Sequence, residues 1–272
     1  MSRLSSIFRL LSQNGRTALT TFITAGDPSL DISVDALHAL VEGGADILEL
    51  GIPFSDPEAE GPVIQAASER SLAHNTSLKN VLDMVREFRN SDKNTPLVLM
   101  GYLNSIGNMG YESFALQASA AGVDGLIMVN LPPEEADELR ACLLKVKVDL
   151  IFLVAPTSTD ERVKLITRAS TGFVYYVSLK GTTGAAHLDT DSVQKNVERI
   201  RLYSNLPIQV GFGIRDPESA RSIAEVADGV VVGSALVSIM GEEGATKESI
   251  LAGLRKKTAQ LSAALGPEPV AK

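Results

Sequence analysis

Residues 49–62 read Glu-Leu-Gly-Ile-Pro-Phe-Ser-Asp-Pro-Glu-Ala-Glu-Gly-Pro, and this stretch carries the strongest signal for the fold and its site. The apolar run from Ile47 to Leu50 holds one acid, Glu49, near its end. A strand that is buried on both faces rarely contains a carboxylate. The chain then enters an acidic, proline-rich loop that ends at Gly61-Pro62, where Pro can take the first position of a helix. A buried acid at a strand end, followed by an acidic loop, is typical of acid–base chemistry.

Short apolar runs recur along the chain and alternate with segments of helical periodicity. Alternation of strands and helices is typical of a parallel sheet with right-handed crossover connections. The predicted strands are residues 18–24, 46–50, 96–102, 124–129, 149–154, 173–178, 207–211 and 228–233. The predicted helices between them are residues 31–42, 62–73, 78–90, 111–121, 134–146, 160–169 and 217–225.

A short motif precedes three of the predicted strands and indicates a repeated unit. It reads Gly43-Gly44-Ala45-Asp46, Ala121-Gly122-Val123-Asp124 and Val226-Ala227-Asp228-Gly229. A Gly after a helix suits the left-handed cap that precedes a short loop into a strand. Eight such units close into a single (β/α)8 TIM barrel, for which about 250 residues is typical. A doubly wound open sheet is the alternative, and it is disfavoured because the sequence lacks an early Gly-x-Gly-x-x-Gly motif.

The two ends of the chain flank this barrel. Four apolar residues near the amino terminus fall at helical spacing: Leu4, Ile7, Phe8 and Leu11. Residues 1–15 are therefore predicted to form an amphipathic N-terminal helix that covers the barrel. Residues 266–272 are predicted to be a frayed tail. Because no charged or Pro/Gly-rich linker divides the chain, residues 1–272 are expected to form one domain.

The composition of the 272 residues limits the classes of partner. A net charge of −8 and a pI near 5.0 argue against a nucleic acid. No apolar run approaches the ~20 residues of a membrane span, so no membrane partner is expected. The single cysteine, Cys142, favours a reducing compartment, and we expect a cytoplasmic protein. The three histidines are isolated in the sequence, and no metal site is predicted.

The alternation of side chains along a strand predicts which residues point into the barrel. Leu48 and Leu50 should face the outer helices, so Glu49 points inward, at the end of the barrel where active sites lie. The same alternation sends a group of apolar and aromatic side chains inward: Phe22, Met100, Tyr102, Ile127, Val129 and Tyr175. These residues predict an apolar pocket with a carboxylate and phenol hydroxyls at its mouth.

Three glycine-rich segments follow the last three predicted strands. They are Gly181-Thr182-Thr183-Gly184, Gly211-Phe212-Gly213-Ile214 and Gly233-Ser234. Loops after the last two strands of a barrel, with a short helix that starts at Ser234, form a common phosphate site. Backbone N–H groups supply the donors, and glycine lets an anion approach closely. The expected ligand has a phosphorylated aliphatic tail and an apolar or aromatic head.

Several of these segments also match the motifs of one family. The most specific is Glu49-Leu50-Gly51-Ile52-Pro53-Phe54-Ser55-Asp56-Pro57. The others are Phe22-Ile23-Thr24-Ala25-Gly26-Asp27-Pro28, Met100-Gly101-Tyr102-Leu103-Asn104, Leu131-Pro132-Pro133-Glu134-Glu135, residues 175–178, and the three glycine-rich segments. From about Phe8 to its last helix, the sequence resembles the tryptophan synthase alpha chain family.

The resemblance implies a carbon–carbon lyase of tryptophan biosynthesis. Such an enzyme cleaves indole-3-glycerol phosphate by a retro-aldol reaction to indole and glyceraldehyde 3-phosphate. The resemblance also implies a beta-chain partner that consumes the indole, in a complex of two alpha and two beta chains. Pyridoxal phosphate is expected only in that partner, and no cofactor is expected in this chain.

The resemblance further implies roles for individual residues. Glu49 would transfer protons, Glu60 would hold the indole N–H, and Tyr175 would orient Glu49. Thr183 would lie in a loop that closes over the substrate. The glycine-rich segments would bind the substrate and its phosphate through Thr183, Gly184, Gly211, Gly213, Gly233 and Ser234. Contacts of the acidic loop and the partner would involve Pro53, Asp56 and Asn104.

Two positions depart from the family pattern. The second acid, usually the Asp of Asp-Gly-Pro after an apolar residue and Ala, is Glu60 in the segment Glu58-Ala59-Glu60-Gly61-Pro62. The family aspartate after the fourth strand is Asn130. Two hypotheses therefore stay open: an active lyase, and a weakly or non-catalytic alpha chain that binds and activates the beta chain. Another phosphate-binding barrel, such as an isomerase, would need a different strand-end motif.

Overall fold

The strands of the protein form a single parallel sheet. A computed structural model describes residues 2–178, 189–211 and 213–267. The strands in these ranges are β1 (Ala18–Thr24), β2 (Ile47–Gly51), β3 (Leu97–Gly101), β4 (Gly125–Met128), β5 (Asp149–Ile151), β6 (Leu153–Val154), β7 (Val174–Val177), β8 (Ile208–Gly211) and β9 (Gly229–Val232). Their order in the sheet is β5-β4-β3-β2-β1-β9-β8-β7-β6.

Helices pack around the outer side of this sheet, and the first of them covers one end of it. They are α1 (Arg3–Gln13), α2 (Ser33–Glu42), α3 (Pro62–Ala73), α4 (Leu78–Ser91), α5 (Leu103–Gly107), α6 (Tyr111–Ala121), α7 (Asp137–Lys145), α8 (Asp160–Ala169), α9 (Thr190–Arg201), α10 (Pro217–Ala224), α11 (Ser234–Met240) and α12 (Lys247–Ser262). Short 3-10 helices at Leu30–Ile32 and Pro133–Glu135 precede α2 and α7.

The two edges of the sheet meet within one segment of the chain. β5 pairs with β4, β6 pairs with β7, and only Phe152 separates β5 from β6. The carbonyl of Phe152 accepts a hydrogen bond from the N–H of Tyr175 at 3.2 Å. Residues 149–154 therefore occupy one strand position and close the sheet into a ring of eight. The predicted (β/α)8 barrel is confirmed, with its fifth predicted strand interrupted at Phe152.

The strand side chains separate into an outer and an inner apolar cluster. Leu48 and Leu50 belong to the outer cluster, together with residues of the surrounding helices. The inner cluster contains Phe22, Ile47, Met100, Ile127 and Tyr175, and Val129 packs against it. Successive side chains of a strand point to opposite faces. Because Leu48 and Leu50 point outward, Glu49 between them points into the barrel.

Helix α1 closes the amino-terminal end of the barrel. Its buried side chains are those predicted from their spacing, Leu4, Ile7, Phe8 and Leu11, and they join the inner cluster. The rings of Phe8 and Phe173 lie 5.9 Å apart. At the other terminus, the carbonyl of Pro267 accepts a hydrogen bond from Arg16 Nη1 at 3.1 Å. Residues 268–272 of the predicted tail lie outside the described residues.

The aspartates of the repeated motif share one structural task. Asp46 Oδ2 accepts the N–H of Leu19 at 3.0 Å, and Asp124 Oδ2 accepts the N–H of Leu97 at 2.9 Å. Asp228 Oδ2 accepts the N–H of Ile208 at 2.8 Å. In each case, an acid that precedes one strand satisfies a backbone donor at the start of a neighbouring strand. The repeat therefore fixes strand register at the end of the barrel opposite the site.

Candidate active site

A cavity opens at the carboxyl end of the barrel, where the sequence predicts the site. Its volume is about 240 Å³. It is lined by Phe22, Glu49, Glu60, Gly61, Pro62, Val63, Ile64, Met100, Tyr175, Gly213, Ile214, Val231, Gly233 and Ser234. Apolar side chains form most of this wall, and the two glutamates are its ionisable carboxyl groups among the described residues. A cavity of this kind suits a flat apolar group held beside acid–base residues.

Glu49 is the deepest acid of this cavity. It pairs in register with Phe22 of β1 and Val98 of β3, and it is 1% exposed. Its Oε2 is buried and has no hydrogen-bond partner among the described residues. Burial raises the pKa of Glu49 to about 8, and the nearby charge of Glu60 adds to the increase. Glu49 is therefore mainly the neutral acid at pH 7.

Glu60 reaches the cavity from the loop between β2 and α3. Its N–H donates to the carbonyl of Pro57 at 3.0 Å, and its own carbonyl accepts from Gln65 Nε2 at 2.9 Å. α3 begins two residues later, with Pro62 at its first position as predicted. The side chain is partly buried, and this burial raises the pKa of Glu60 to about 7. The two carboxyls thus titrate close to neutrality, in a range where either can exchange a proton.

Tyr175 stands next to these acids but does not bond to Glu49. No hydrogen bond joins the two side chains among the described residues, so the predicted orienting contact is not made in this conformation. The hydroxyl lies over Gly211 of β8, where a built Cβ atom would be 2.2 Å from Tyr175 Oη. Burial raises the pKa of Tyr175 well above its usual value, so its hydroxyl stays protonated as a donor.

The Gly211→Ala substitution is expected to destabilise the protein by about 1–3 kcal/mol, since overpacking a buried site costs this much. The added methyl would meet Tyr175 Oη at 2.2 Å and its ring at 2.7 Å, so the ring must move. Thermal unfolding measures the effect. Gly107→Ala is the matched control because no atom lies within 4 Å of its built Cβ. Equal unfolding midpoints for both variants would contradict the packing of Tyr175 on Gly211.

Tyr102 lies in a neighbouring pocket rather than in the main cavity. Its hydroxyl accepts the N–H of Ala59 at 3.0 Å, and its ring stacks on Phe54 at 5.0 Å. It lines a small second cavity of about 20 Å³ that also touches Glu60. Tyr102 therefore holds the acidic loop on both sides of its exposed turn.

The loop and partner residues named from the sequence occupy different environments. Pro53 is buried, whereas Asp56 is exposed and accepts a hydrogen bond from Ser55 Oγ. Asn104 Oδ1 accepts from Asn130 Nδ2 at 3.4 Å. Asn130 Oδ1 in turn accepts the N–H of Leu103 at 2.8 Å. Asn130, one of the two departures from the family pattern, thus uses its amide oxygen as an acceptor and its amide N–H as a donor, and an ionised carboxylate could make only the first of these contacts.

The glycine-rich ends of β8 and β9 form the opposite side of the cavity. Gly213, which has a φ of 78°, and Ile214 line it after β8. Gly233 and Ser234 line it at the start of α11, where the first N–H groups of a helix have no partner within the helix. Thr183 and Gly184 lie outside the described residues. Ile127, Val129 and Gly211 do not line the main cavity.

Several residues of the cavity wall were not predicted from the sequence. They are Gly61, Pro62, Val63, Ile64, Ile214 and Val231. Val231 has the inward phase of its strand and could have been found by alternation alone. The start of α3 could not, because the angle at which a helix leaves a loop is set by tertiary packing.

The described residues contain no group of three or more His, Cys, Asp or Glu side chains placed to hold a metal ion. They also contain no helix that is long and apolar enough to cross a membrane.

Fold and site together define a class: a (β/α)8 barrel with a paired-carboxyl pocket facing a glycine-rich rim. The sequence profile described as "Tryptophan synthase alpha chain" matches residues 8–265. The tryptophan synthase alpha chain of Thioalkalivibrio sulfidiphilus is 56% identical over 242 residues, which cover 89% of this chain and 91% of that protein. That of Burkholderia thailandensis is 51% identical over 265 residues, 97% of each chain. The crystal structure of tryptophan synthase subunit alpha from Legionella pneumophila is 44% identical, with a TM-score of 0.89 over 97% of this chain and 98% of that one. This chain belongs to the tryptophan synthase alpha chain family.

Proposed function

We propose that this chain cleaves indole-3-glycerol phosphate to indole and glyceraldehyde 3-phosphate. The observation that carries the proposal is the pair of carboxyls, Glu49 and Glu60, in an apolar cavity whose far wall is the rim of Gly213, Gly233 and Ser234. An indole ring fits between apolar side chains, and a phosphate fits the N–H groups at the start of α11. The acids then lie beside the bond that must break.

Glu49 can carry both proton transfers of this reaction. As the neutral acid it donates a proton to C3 of the indole ring, and as the resulting carboxylate it takes the proton of the adjacent glycerol hydroxyl. The bond between C3 and the glycerol carbon then breaks, its electrons return to the ring, and the hydroxyl carbon becomes the aldehyde. Glu49 ends protonated as it began, so protons and electrons balance. The raised pKa of Glu49 supports this starting state.

Glu60 would accept a hydrogen bond from the indole N–H. Protonation at C3 places positive charge on the ring nitrogen, and an ionised carboxylate at this position stabilises that charge most strongly in the transition state. Tyr175, with its protonated hydroxyl, would contact the reacting groups from the β7 side of the cavity. This acid–base scheme needs no metal ion and no cofactor in this chain.

The proposal includes the setting of the reaction. Indole would pass to a tryptophan synthase beta chain that holds pyridoxal phosphate, in a complex of two alpha and two beta chains. Thr183 and Gly184 would belong to the part of the site that covers the substrate. We also infer that residues 1–272 act as one barrel domain in the cytoplasm, where the free Cys142 remains reduced.

The hypothesis of a non-catalytic chain rests on Glu58, Glu60 and Asn130. Glu58 is exposed, Glu60 still reaches the cavity, and Asn130 makes local hydrogen bonds, so none of the three disrupts the pocket. The test is to supply purified protein with indole-3-glycerol phosphate, with and without a beta chain, and to follow indole. Indole in either condition supports the lyase. No indole in either, with activation of the beta chain intact, supports the non-catalytic role instead.

The kcat/KM for cleavage is expected to follow a bell-shaped pH profile. It should rise as Glu60 ionises near pH 7 and fall as Glu49 loses its proton near pH 8. Glu60→Gln should remove the rising limb and move the falling limb to lower pH, since the charge of Glu60 contributes to the raised pKa of Glu49. Initial rates between about pH 6 and about pH 9 measure both limbs. A falling limb that is unchanged in Glu60→Gln would contradict the coupling of the two acids.

A further inference from the structure

An ion pair outside the cavity joins three segments that form its walls. Arg70, in the last turn of α3, donates from Nε to Asp27 Oδ1 at 2.7 Å and from Nη2 to Asp27 Oδ2 at 3.0 Å. Asp27 follows β1 and its side chain is fully buried, whereas that of Arg70 is 35% exposed. A bidentate pair of this kind fixes both the distance and the orientation of its two groups.

The same guanidinium also packs on the end of α11. A Cβ built on Gly241, the residue that follows α11, would lie 2.5 Å from Arg70 Nη2 and 2.8 Å from Cζ. Position 241 therefore has no room for a side chain while Arg70 holds Asp27. A second contact reinforces the link between α3 and β1, because Ser71 Oγ donates to the carbonyl of Ala25 at 2.6 Å.

Both helices begin at the cavity, and the last turn of each lies next to Arg70 or contains it. α3 starts with Pro62 and Val63, and α11 starts with Ser234, all of which line the cavity. At 1.5 Å per residue, Arg70 lies about 12 Å along α3 from Pro62, and Gly241 lies about 10 Å along the axis of α11 from Ser234. A helix of this length behaves as a short rigid rod, so a contact that fixes its far end also restricts its near end.

We propose that Arg70 is a positioning residue that sets the distance between the start of α3 and the start of α11, and thereby the fit of the phosphate. This inference rests on the proposed function for the identity of the ligand, and it assigns Arg70 no contact with the substrate. Gly241 contributes to this positioning. Because it has no side chain, the guanidinium can lie against the end of α11 while Nε and Nη2 of Arg70 bond to Asp27.

The test uses glycerol 3-phosphate as a stable probe of the phosphate site, with its Kd measured by titration calorimetry. Arg70→Lys loses the bidentate geometry and should raise Kd about tenfold. Gly241→Ala displaces the guanidinium without touching either charge and should raise Kd about fivefold. In an Arg70→Ala background, Gly241→Ala should change Kd less than about twofold, because the collision is gone. With indole-3-glycerol phosphate, KM should rise in the single variants while kcat changes little.

The controls match the variants in chemistry and place. Arg162 on α8, paired with Glu134 and 36% exposed, is the control for Arg70→Lys, and Gly107→Ala is the control for Gly241→Ala. Additive effects of Gly241→Ala in the two backgrounds, or Kd values equal to those of the controls, overturn the proposal. If Arg70→Ala does not fold, Arg70→Lys and Gly241→Ala decide on their own.

The failure of the proposed function can be told apart from the failure of this inference. If the unaltered protein does not bind glycerol 3-phosphate, the phosphate site is wrong. Hydrogen–deuterium exchange of a peptide that covers residues 232–242 then decides the role of Arg70. Faster exchange there in both single variants supports the positioning role, and exchange equal to that of the controls overturns it.

Discussion

Replacement of Glu49 by Gln is expected to lower kcat for indole release by about 10²–10⁴-fold, the usual contribution of a general acid–base group. The amide has the same size as the neutral acid but cannot give a proton to C3 of the ring or take one from the glycerol hydroxyl. Since the carboxyl is 1% exposed and its Oε2 has no partner, little else of the structure should change. Steady-state rates of indole formation near pH 7.5, between the two limbs of the expected profile, measure the loss.

Stability provides the control for Glu49→Gln. Burial raises the pKa of Glu49 from 4.5 to about 8, so the folded state keeps a proton that the unfolded state loses. The free energy of unfolding of the unaltered protein should therefore fall as pH rises from about 4.5 to about 8 through this group. The Gln variant lacks that contribution and should gain stability relative to the unaltered protein over the same range. If Glu49→Gln shows this gain in stability and still releases indole at the full rate, Glu49 does not take part in the chemistry.

Replacement of Glu60 by Ala is expected to lower kcat/KM by about 10²–10³-fold, as for the loss of one group that stabilises transition-state charge. Glu60→Asp keeps the charge but draws the carboxylate back by roughly 1 Å, and a shift of this size can cost up to about 10²-fold. The backbone contacts of Glu60 with Pro57 and Gln65 fix the start of the side chain, so the loop is not free to compensate. The ratio of kcat/KM values across Ala, Asp and the unaltered residue measures both effects.

Glu58→Gln is the matched control for position 60, because Glu58 is an exposed acid of the same loop. Its kcat/KM should stay within about twofold of the unaltered protein, as expected for a screened surface charge. A higher rate for Glu60→Asp would mean that the cavity is built for the shorter acid. Equal rates for Glu60→Ala and Glu60→Asp would mean that position 60 does not act on the ring nitrogen.

Alternation of side chains along the strands predicted several residues of the inner wall of the barrel. The phase of Leu48 and Leu50 placed Glu49 inside, and the same reasoning placed Phe22, Met100 and Tyr175. These predictions succeed because burial in a closed barrel leaves only two directions for a strand side chain. The prediction of the N-terminal helix succeeded for a similar reason, since its apolar residues lie on one face of the helix and only that face can be buried.

Where the structure differs from the sequence-based predictions, the positions of the residues depend on contacts between distant parts of the chain. Tyr102 continues the inward phase of β3, yet the strand ends at Gly101 and the ring turns to stack on Phe54. The start of α3 lines the cavity, and the loop before it is held by contacts with Tyr102 and Gln65 that the sequence does not reveal. The interruption at Phe152 arises because residues 149–154 must pair with β4 and with β7 in turn.

Helix α9 was also missed, although its signal is present in the sequence. Val193, Val197 and Ile200 are buried at spacings of four and three residues, and Asp189 caps the helix by accepting the N–H of Ser192. Polar residues fill the positions between them, so the segment resembles a loop in composition. Periodicity, rather than mean hydropathy, was the informative property there.

In the proposed reaction, Glu49 transfers the proton at C3 of the indole ring. The most direct measurement follows the C3 hydrogen of indole by proton NMR in D2O, with glyceraldehyde 3-phosphate present. Each cycle of condensation and cleavage removes the C3 proton and returns a deuteron from the solvent-exchanged carboxyl. The C3 signal should disappear at well above the uncatalysed rate with the unaltered protein, and at the uncatalysed rate with Glu49→Gln. Equal exchange by the two proteins would contradict this role of Glu49.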